Sequence, residues 1–386
     1  MKKISKITRI LAALTLVFAL GACANGADTN DSNPQNQNVS EKIKAILEES
    51  IESTKVELNS IEGVYSFEFS GDYGLETLVG KEFTNETQLS SYLAAAIPTW
   101  IQDSNNTISL SINLTGAGCT SIVTENAGSA GGKLFGRNFD YTNGSAVVIH
   151  TKPASGLGFE SVSTSYPYFL SGERNWAPNG DPSHDPLLYG AIYVPMDGMN
   201  EKGLYVSILE AGDNETTAQN TTGKKDVQTT VAVRYLLDKA DSVDNALTLL
   251  EGFNMHSVHN TAYHFALADN SGKSVVVEYI NNEMKVEDAK VVTNHYIVSN
   301  SGKTAPDSTN DSLLRYNTAK AAGEATGWKM TPEQMRNTLK AAGAKQYDPE
   351  EKHISIWSAV YEPAAKKVTY YFREDYTKSV EVTFGN

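Results

Sequence analysis

The segment Gly-Cys-Thr-Ser-Ile-Val-Thr at positions 118–124 is followed by Lys-Leu-Phe-Gly-Arg-Asn-Phe-Asp-Tyr at positions 133–141, with a glycine-rich stretch at 127–132 between them. Both segments favour β-strands, and a short glycine-rich connection is typical of a hairpin. We expect this hairpin to bring Arg137 beside Cys119.

Cys119 is one of two cysteines in the chain, and the other, Cys23, lies in the N-terminal leader. A thiolate attacks acyl groups, and a nearby cation such as Arg137 lowers the pKa of a cysteine from its usual value of about 8.5. Asp140 could accept from a cationic amine or orient Arg137. Two plainer interpretations stay open: Cys119 as a small buried hydrophobe, and Arg137 with Asp140 as a surface ion pair of little energetic value.

Histidine does not offer Cys119 a general base, since the seven histidines of the chain are scattered. His256, His259 and His264 form one cluster, but their spacing does not match a zinc helix, so we expect no metal and no cofactor. The α-amine of Cys119 itself is the natural base, with a pKa of about 7.7–8.0. That role requires cleavage between Gly118 and Cys119, and Gly118 has no side chain to obstruct it.

The first residues predict an exported lipoprotein. Residues 1–22 have a basic start and an apolar run at 10–20, too short for a membrane span, and Leu20-Gly21-Ala22-Cys23 matches a lipoprotein box. In this interpretation Cys23 carries lipid and anchors the protein to the outer face of the cytoplasmic membrane or the cell surface; an ordinary signal peptide cut nearby is the alternative. Residues 23–42 are polar and predict a disordered tether.

The formal net charge of the chain is −14, and the basic leader makes the remainder more acidic still. A strongly acidic exported domain is a poor binder of nucleic acid or anionic lipid through its general field. We therefore expect a small-molecule substrate and no nucleic acid partner.

Two regions follow the tether. Residues 43–118 predict an α+β segment with a helix over 40–60, a strand at 64–69 and a helix over 86–97 that Pro98 ends. Residues 119–386 predict a strand-rich catalytic domain, in which 152–198 read as long loops and 228–252 as a helix broken near 240–242. Further strands are expected at 119–124, 133–138, 145–150, 203–209, 263–268, 274–279, 289–293, 354–360 and 367–373, and further helices at 311–322 and 332–342. This order favours a layered α+β fold with an antiparallel sheet core.

The residues around Cys119 and Arg137 resemble the N-terminal-nucleophile hydrolases of the choloylglycine hydrolase family, the linear amide C–N hydrolases. That family holds bile salt hydrolases and penicillin V acylases, and N-acylethanolamine acid amidase and acid ceramidase are relatives. Later stretches are similar in the same order, so that the resemblance covers about 119–386: Gly198–Leu204, Phe265–Asp269, Gly272–Glu278, Val292–Asn294 and Leu314–Tyr316.

The resemblance implies a four-layer αββα sandwich and a set of site residues. It implies that Cys119 is the nucleophile with Arg137 beside it and that Asp140 holds the α-amine. It also implies that Asn294 is an oxyanion or amine-orienting group and that Arg315 supports the network. Homo-oligomers occur in the family, so an oligomer is one expected state.

Glu210 departs from the bile salt hydrolase pattern, which has an asparagine where Glu210 aligns. An ionised glutamate accepts hydrogen bonds and cannot stabilise an oxyanion with its side chain. Glu210 therefore favours the N-acylethanolamine amidase branch over bile salts and penicillin V, unless it faces the surface without a role.

The sequence thus predicts a membrane-tethered, self-processing cysteine amidohydrolase that cleaves an N-acyl amine or N-acyl amino acid through a thioester acyl-enzyme, with bile salts and penicillin V as further candidate substrates. The aromatic loop Tyr166–Phe169 and Trp176 could shape an acyl pocket or form a packed loop core. The long segment before Cys119 is expected to stay bound after cleavage. The rival hypotheses are an acyltransferase on the same scaffold and a ligand-binding lipoprotein with an inert Cys119.

Overall fold

The structure, a computed structural model, describes residues 55–58, 61–100, 117–178, 185–211, 216–257, 261–299, 301–303, 306, 308–344 and 353–385. The predicted signal peptide at 1–22, Cys23, the tether at 23–42 and the first part of the helix expected over 40–60 lie outside these ranges. No helix within them combines the length and apolar character that a membrane crossing needs.

Sheet A has nine strands among the described residues, and its neighbours pair antiparallel except for the parallel pair formed by its second and third strands. In spatial order they are β1 (Lys55–Leu58), β2 (Val64–Gly71), β5 (Ala146–Pro153), β6 (Ser161–Ser165), β7 (Asp197–Asn200), β8 (Tyr205–Glu210), β11 (Tyr263–Ala268), β12 (Ser274–Ile280) and β13 (Glu283–Asp288). A separate parallel pair joins β9 (Lys225–Gln228) to β10 (Phe253–His256).

Sheet B carries the hairpin that contains Cys119. Its described strands run in the order β14 (Val291–Val292), β3 (Gly118–Asn126), β4 (Lys133–Thr142), β16 (His353–Glu362), β17 (Lys367–Phe372) and β18 (Val380–Thr383), with β15 (Lys329–Met330) also paired to β3. The expected hairpin is confirmed: β3 and β4 are antiparallel, with Cys119 opposite Phe139 and Ser121 opposite Arg137.

The two sheets pack face to face between two helical layers. The helices are α1 (Leu75–Val79), α2 (Glu86–Trp100), α3 (Tyr168–Ser171), α4 (Pro186–Ala191), α5 (Thr229–Lys239), α6 (Val243–Glu251), α7 (Asp311–Ala325) and α8 (Pro332–Ala341). Helix α5 covers β7 and β8 of sheet A, whereas α7 and α8 cover β3, β4 and β16 of sheet B. Between the sheets, Phe135 of β4 packs on Tyr205 of β8 with ring centroids 5.4 Å apart. The expected αββα sandwich is therefore confirmed.

The segment before Cys119 is part of sheet A and its core. Strand β2 pairs along its whole length with β5. Phe67 and Phe69 of β2 and Leu89 and Leu93 of α2 are at most 2% exposed and belong to the main hydrophobic core. Residues 61–100 therefore complete the catalytic sandwich instead of forming a domain of their own.

Three details of the secondary-structure prediction are wrong. Residues 55–58 form strand β1 instead of continuing a helix, because pairing with β2 supplies backbone hydrogen bonds that outweigh a weak helical preference. Helix α2 runs through Pro98 to Trp100, since a proline in the last turn removes one donor without undoing the turns before it. Residues 152–198, expected as loops, contain β6 and β7. Strand β6 is hard to predict because its side chains are mostly small hydroxyls, yet all are buried; Ser165 Oγ, for example, donates to the Ala191 carbonyl oxygen at 2.8 Å.

Other boundaries follow the sequence closely. The helix predicted at 228–252 breaks where expected, and Ser242 caps the second part by accepting from the Asn245 N–H. Helix α8 begins with a capping box formed by Thr331 and Gln334. Both helices present apolar faces to their sheets.

Candidate active site

Cys119 lies at the second position of β3, on the face that points towards sheet A, and is 2% exposed. Two side chains hold its backbone. Its N–H donates to Oδ1 of Asn294 at 2.5 Å, and Nη1 of Arg315 donates to its carbonyl oxygen. Because Nη2 of Arg315 also donates to the same Asn294 oxygen, at 2.9 Å, the three residues form one closed network.

Arg137 reaches the same side of sheet B as the Cys119 thiol. Its Nε donates to Oδ2 of Asp197 at 3.2 Å and its Nη2 to the Ile208 carbonyl oxygen at 3.0 Å. Nη1 has no hydrogen-bond partner in the described part of the chain. Burial raises the pKa of the Cys119 thiol, and the Arg137 guanidinium acts against that rise. The thiol is therefore neutral at neutral pH, and the Arg137 guanidinium on the same face of sheet B would stabilise its thiolate.

Asp140 lies on the opposite side of the Gly118–Cys119 peptide, directly across the hairpin from Gly118. Its carboxylate accepts from Ser355 Oγ at 2.6 Å and from the Ala344 N–H at 3.0 Å. Burial raises its pKa to about 6, although Arg315 and these donors oppose the shift. A side chain at Gly118 would crowd this carboxyl, because a Cβ atom there would lie 3.0 Å from the Asp140 Cβ and 3.2 Å from the Ala344 Cβ. The close approach explains why position 118 is a glycine.

Glu210 lies at the end of β8 and contacts the chain just before Gly118. Its Oε2 accepts from the N–H of Ala117 at 3.2 Å, and its backbone oxygen accepts from Nδ2 of Asn294 at 2.9 Å. Glu210 therefore faces the site and not the surface. Its carboxylate accepts a hydrogen bond from the segment before Cys119, as the chemistry of a glutamate requires.

Arg315 is positioned by helix α7. Asp311, one turn earlier, accepts from its Nε at 2.6 Å. Its Nη1 also lies 3.3 Å from Thr120 Oγ1. The guanidinium is buried, so the helix delivers a fixed cation to the backbone of Cys119.

The structure thus brings the six predicted catalytic residues together around the Gly118–Cys119 peptide: Cys119, Arg137, Asp140, Glu210, Asn294 and Arg315. They come from β3, β4, β8, α7 and the loop after β14, which are distant in sequence. Cys23, the predicted lipidation site, lies outside the described residues.

Sequence reasoning missed Asp197, which holds Arg137 in place. Both residues are fully buried, and Asp197 also accepts from Trp357 Nε1 at 2.9 Å and from the Tyr361 hydroxyl at 2.5 Å. An acidic residue directly before the motif Gly198–Leu204 was the available signal. Asp197 ties β7 of sheet A to β4 and β16 of sheet B.

The aromatic loop forms packed core. Tyr166 and Phe169 are at most 1% exposed and pack against Phe139, with ring centroids 5.6 Å and 6.1 Å away. Trp176 packs on Tyr65 of β2. These rings support the strand opposite Cys119.

The histidines of the predicted cluster have separate partners. Nε2 of His256 lies 2.8 Å from Oδ1 of Asp226, and Nδ1 of His264 lies 3.2 Å from Oε1 of Glu278. His259 lies outside the described residues. Within the described ranges no three histidine, cysteine or carboxylate side chains are grouped to hold a metal ion.

A comparison with known protein families identifies the family of this chain. The model of the acyl-coenzyme A:6-aminopenicillanic acid acyl-transferase family matches residues 182–376, which is half of the chain. The chain belongs to this family. The matched range contains Glu210, Asn294 and Arg315, whereas Cys119, Arg137 and Asp140 precede it. Membership agrees with the relationship to penicillin V acylases and bile salt hydrolases that the motifs indicated.

Named relatives include amide hydrolases. A penicillin V acylase from Pectobacterium atrosepticum is 30% identical over 114 residues, which cover 27% of this chain and 30% of that protein's length. A solved variant of conjugated bile acid hydrolase from Clostridium perfringens matches at 16% identity and a TM-score of 0.49, over 69% of this chain and 92% of that one. Penicillin V acylase from Agrobacterium tumefaciens matches at 17% identity and a TM-score of 0.43, over 66% and 83%.

Proposed function

We propose that the protein is a self-processing cysteine amidohydrolase that cleaves linear amides between an acyl group and an amine. The observation that carries the proposal is the setting of one peptide bond. Gly118–Cys119 lies between the Asn294–Arg315 pair, which holds the Cys119 backbone, and the Asp140 carboxylate beside Gly118. The buried thiol of Cys119 has the Arg137 cation on its own face of the sheet.

Processing begins with attack of the Cys119 sulfur on the Gly118 carbonyl carbon. The bond from that carbon to the Cys119 nitrogen breaks, the nitrogen takes a proton, and Gly118 becomes a thioester on the sulfur. Water then hydrolyses the thioester, leaving a carboxylate on Gly118 and a free thiol on Cys119. Asn294 orients the nitrogen, and Asp140 lies close to the position where the new amine forms.

Substrate turnover repeats this chemistry with a substrate amide. The Cys119 α-amine takes the thiol proton, the thiolate attacks the amide carbonyl, and the resulting ammonium protonates the leaving amine. Backbone N–H groups and Nδ2 of Asn294 are the donors for the oxyanion. Water then releases the acyl group as a carboxylic acid. Arg137 stabilises the thiolate, and Arg315 holds the carbonyl oxygen of Cys119.

The test combines intact mass with an amide panel. Wild-type protein should show a chain that starts at Cys119 and should release amine from at least one of glycine and taurine bile conjugates, penicillin V, N-acylethanolamines and N-acyl amino acids. Cys119→Ala should remain uncut and inactive, while a ligand-binding protein would keep its ligand in that variant. An active enzyme with an unbroken chain would overturn the α-amine mechanism.

Acyl transfer is a second candidate, since the matched family is named for an acyl-transferase. The thioester would pass its acyl group to an amine instead of water. Adding hydroxylamine or an amino acid to the turnover assay distinguishes the two: a transferase forms the new amide in preference to the free acid.

A further inference from the structure

The uncut chain shows what the acyl side of the site binds. In the processing step proposed above, the species on the Cys119 sulfur is a thioester whose acyl group is the peptide that ends in Ala117-Gly118. That species has the same chemical form as the acyl-enzyme of substrate turnover. Groups that contact Ala117 in the uncut chain therefore face the acyl group of a bound substrate.

Glu210 is the first such group. Its Oε2 accepts from the Ala117 N–H at 3.2 Å. Between that nitrogen and the Gly118 carbonyl carbon, which is attacked, lie the Cα and carbonyl carbon of Ala117 and the nitrogen and Cα of Gly118. Ala117 is buried and belongs to the main hydrophobic core, so the exchange of this hydrogen bond for one with water is restricted. When Ala117 leaves the subsite, a donor on the substrate has to replace it opposite this carboxylate.

The second residue, Tyr263, is the cross-strand neighbour of Glu210. It lies directly opposite Glu210 in the pairing of β11 with β8, so the two side chains project from the same face of sheet A. The side chain is 4% exposed, and its hydroxyl has no hydrogen-bond partner among the residues that the structure describes. An unpaired buried hydroxyl is costly to maintain, which favours a partner supplied by a ligand.

The environment of Tyr263 supports its place at the site. Burial raises the pKa of its hydroxyl well above the usual value, and the charges of Glu210 and Cys119 raise it further. These groups act on the phenol only because they lie near it. At neutral pH the hydroxyl keeps its proton and can both donate and accept.

We propose that Glu210 and Tyr263 form a polar acyl subsite that selects peptide-like acyl groups, with an N–H donor in the position of the Ala117 amide, over plain alkyl chains. The proposal rests on the function proposed above and specifies its substrate class. Glu210 accepts from the substrate N–H, and the Tyr263 hydroxyl pairs with a neighbouring polar group of the same acyl chain. The small volume that Ala117 occupies favours a small side chain at that residue.

Three coumarin amides test the subsite on the processed protein. N-acetyl-Ala-Gly-aminomethylcoumarin has the donor, its acetyl-lactoyl-Gly analogue replaces the Ala N–H with oxygen, and hexanoyl-aminomethylcoumarin has neither polar group. Loss of a hydrogen bond to a charged partner should lower kcat/KM by about tenfold or more from the first probe to the second. The hexanoyl probe should be no better than the lactoyl one.

Variants of Glu210 and Tyr263 test whether these two residues cause the preference for the alanyl probe. Tyr263→Phe and Glu210→Ala should each reduce the ratio of kcat/KM for the alanyl and hexanoyl probes by about tenfold. Tyr279→Phe is the matched control, because Tyr279 is also buried in sheet A with an unpaired hydroxyl in the described structure, and burial is the sole cause that raises its pKa. Its ratio should equal that of the wild type.

The remaining outcomes distinguish failure of the acyl-subsite proposal from failure of the proposed amide hydrolysis. Equal turnover of the alanyl and lactoyl probes, or an unchanged ratio in both variants, would show that the two residues have only a structural role. Turnover of hexanoyl or bile amides without turnover of the alanyl probe would overturn the subsite and leave amide hydrolysis intact. Failure of every amide, including the wider panel, would overturn the proposed function itself.

Discussion

At the scale of single residues, the site depends on close approaches that allow little substitution. Gly118 is the clearest case, because its hydrogen faces the Asp140 carboxyl on one side of the Gly118–Cys119 bond while the thiol of the next residue faces sheet A. The alternation of a strand places these two groups on opposite faces of one peptide.

Gly118→Ala should slow self-cleavage by about tenfold to a hundredfold, because displacing reacting groups by ~1 Å has effects of this size. The new Cβ would lie 3.0 Å from the Asp140 Cβ and must push either strand aside. A time course on denaturing gels measures the cleaved fraction. Gly252→Ala, at the end of α6, serves as the control and should process at the wild-type rate; equal rates for both variants would contradict the crowding argument.

Asp140 predicts a pH dependence of self-cleavage. Burial raises its pKa to about 6, so the carboxyl is largely protonated at pH 5 and ionised at pH 7. Since only the carboxylate can accept protons from the new Cys119 amine, the cleavage rate should rise through pH 6. The measurement is the rate of cleavage of refolded uncut protein between pH 4.5 and pH 8, a range set by the reference values of about 4 for an acid and 8 for the amine. Asp140→Asn should lose the inflection near pH 6, and its persistence would assign it to another group.

At the scale of elements, the site is a junction between two sheets. Strand β4 supplies Arg137 and Asp140 to opposite faces, and β7 supplies Asp197 from the facing sheet to hold Arg137. Helix α7 brings Arg315 to the same peptide from the outer layer. Relative displacement of the sheets would therefore break the hydrogen bonds of Arg137 to Asp197 and to the Ile208 carbonyl oxygen.

Asp197→Ala should destabilise the fold by about 3–5 kcal/mol, because removing one partner leaves the buried Arg137 charge uncompensated. Urea unfolding of uncut protein measures the change. Asp197→Asn keeps the size and some acceptor capacity and should have an intermediate effect if the alanine variant fails to fold. The exposed pair of Asp244 with Lys273 offers the control: Asp244→Ala should leave the unfolding midpoint nearly unchanged. A similar midpoint for all three would show that Asp197 has no such role.

At the scale of the whole molecule, the segment before Cys119 belongs to the sandwich. Burial of an aromatic or leucine side chain contributes roughly 1.5–3 kcal/mol, and this segment buries Phe67, Phe69, Leu89 and Leu93 in the common core. Cleavage at Gly118 removes no hydrogen bond between β2 and β5. The segment should stay attached without a covalent link.

After self-cleavage the two chains should elute together from a native sizing column and separate only under denaturing conditions. The uncut Cys119→Ala protein gives the reference elution volume. Elution of the smaller chain on its own, with activity retained in the larger one, would show that the segment is a removable pro-segment.

The lipid anchor is a second proposal at this scale. Cys23→Ser should abolish incorporation of labelled palmitate and move the protein from the detergent phase to the aqueous phase. Cys119→Ser is the matched control, since it removes the other cysteine and should keep the label. Label retained in Cys23→Ser would place the lipid on another residue, and a wild-type protein without label would indicate an ordinary signal peptide.

Much of this site could be predicted from local pattern. The glycine-rich connection determined the hairpin, and the hairpin register determined that Arg137 and Cys119 share a face while Asp140 lies on the other. Helix starts with strong caps, such as Thr331 with Gln334, were also predictable. Strand β6 was not, because buried hydroxyls paired to a neighbouring backbone have no hydrophobic period. Tyr263 had no local signal either, because its significance depends on the strand beside it.

The sequence by itself predicted the layered α+β class, a candidate nucleophile and a candidate cleavage site, because cysteine chemistry, glycine spacing and strand alternation are local properties. Only the tertiary structure decided how Glu210 acts, since its partner is the Ala117 amide on a distant strand end. It also decided that Asp197 holds Arg137 and that the first segment completes sheet A. These contacts join residues far apart in the chain, and their strength comes from burial, which no single stretch of sequence specifies.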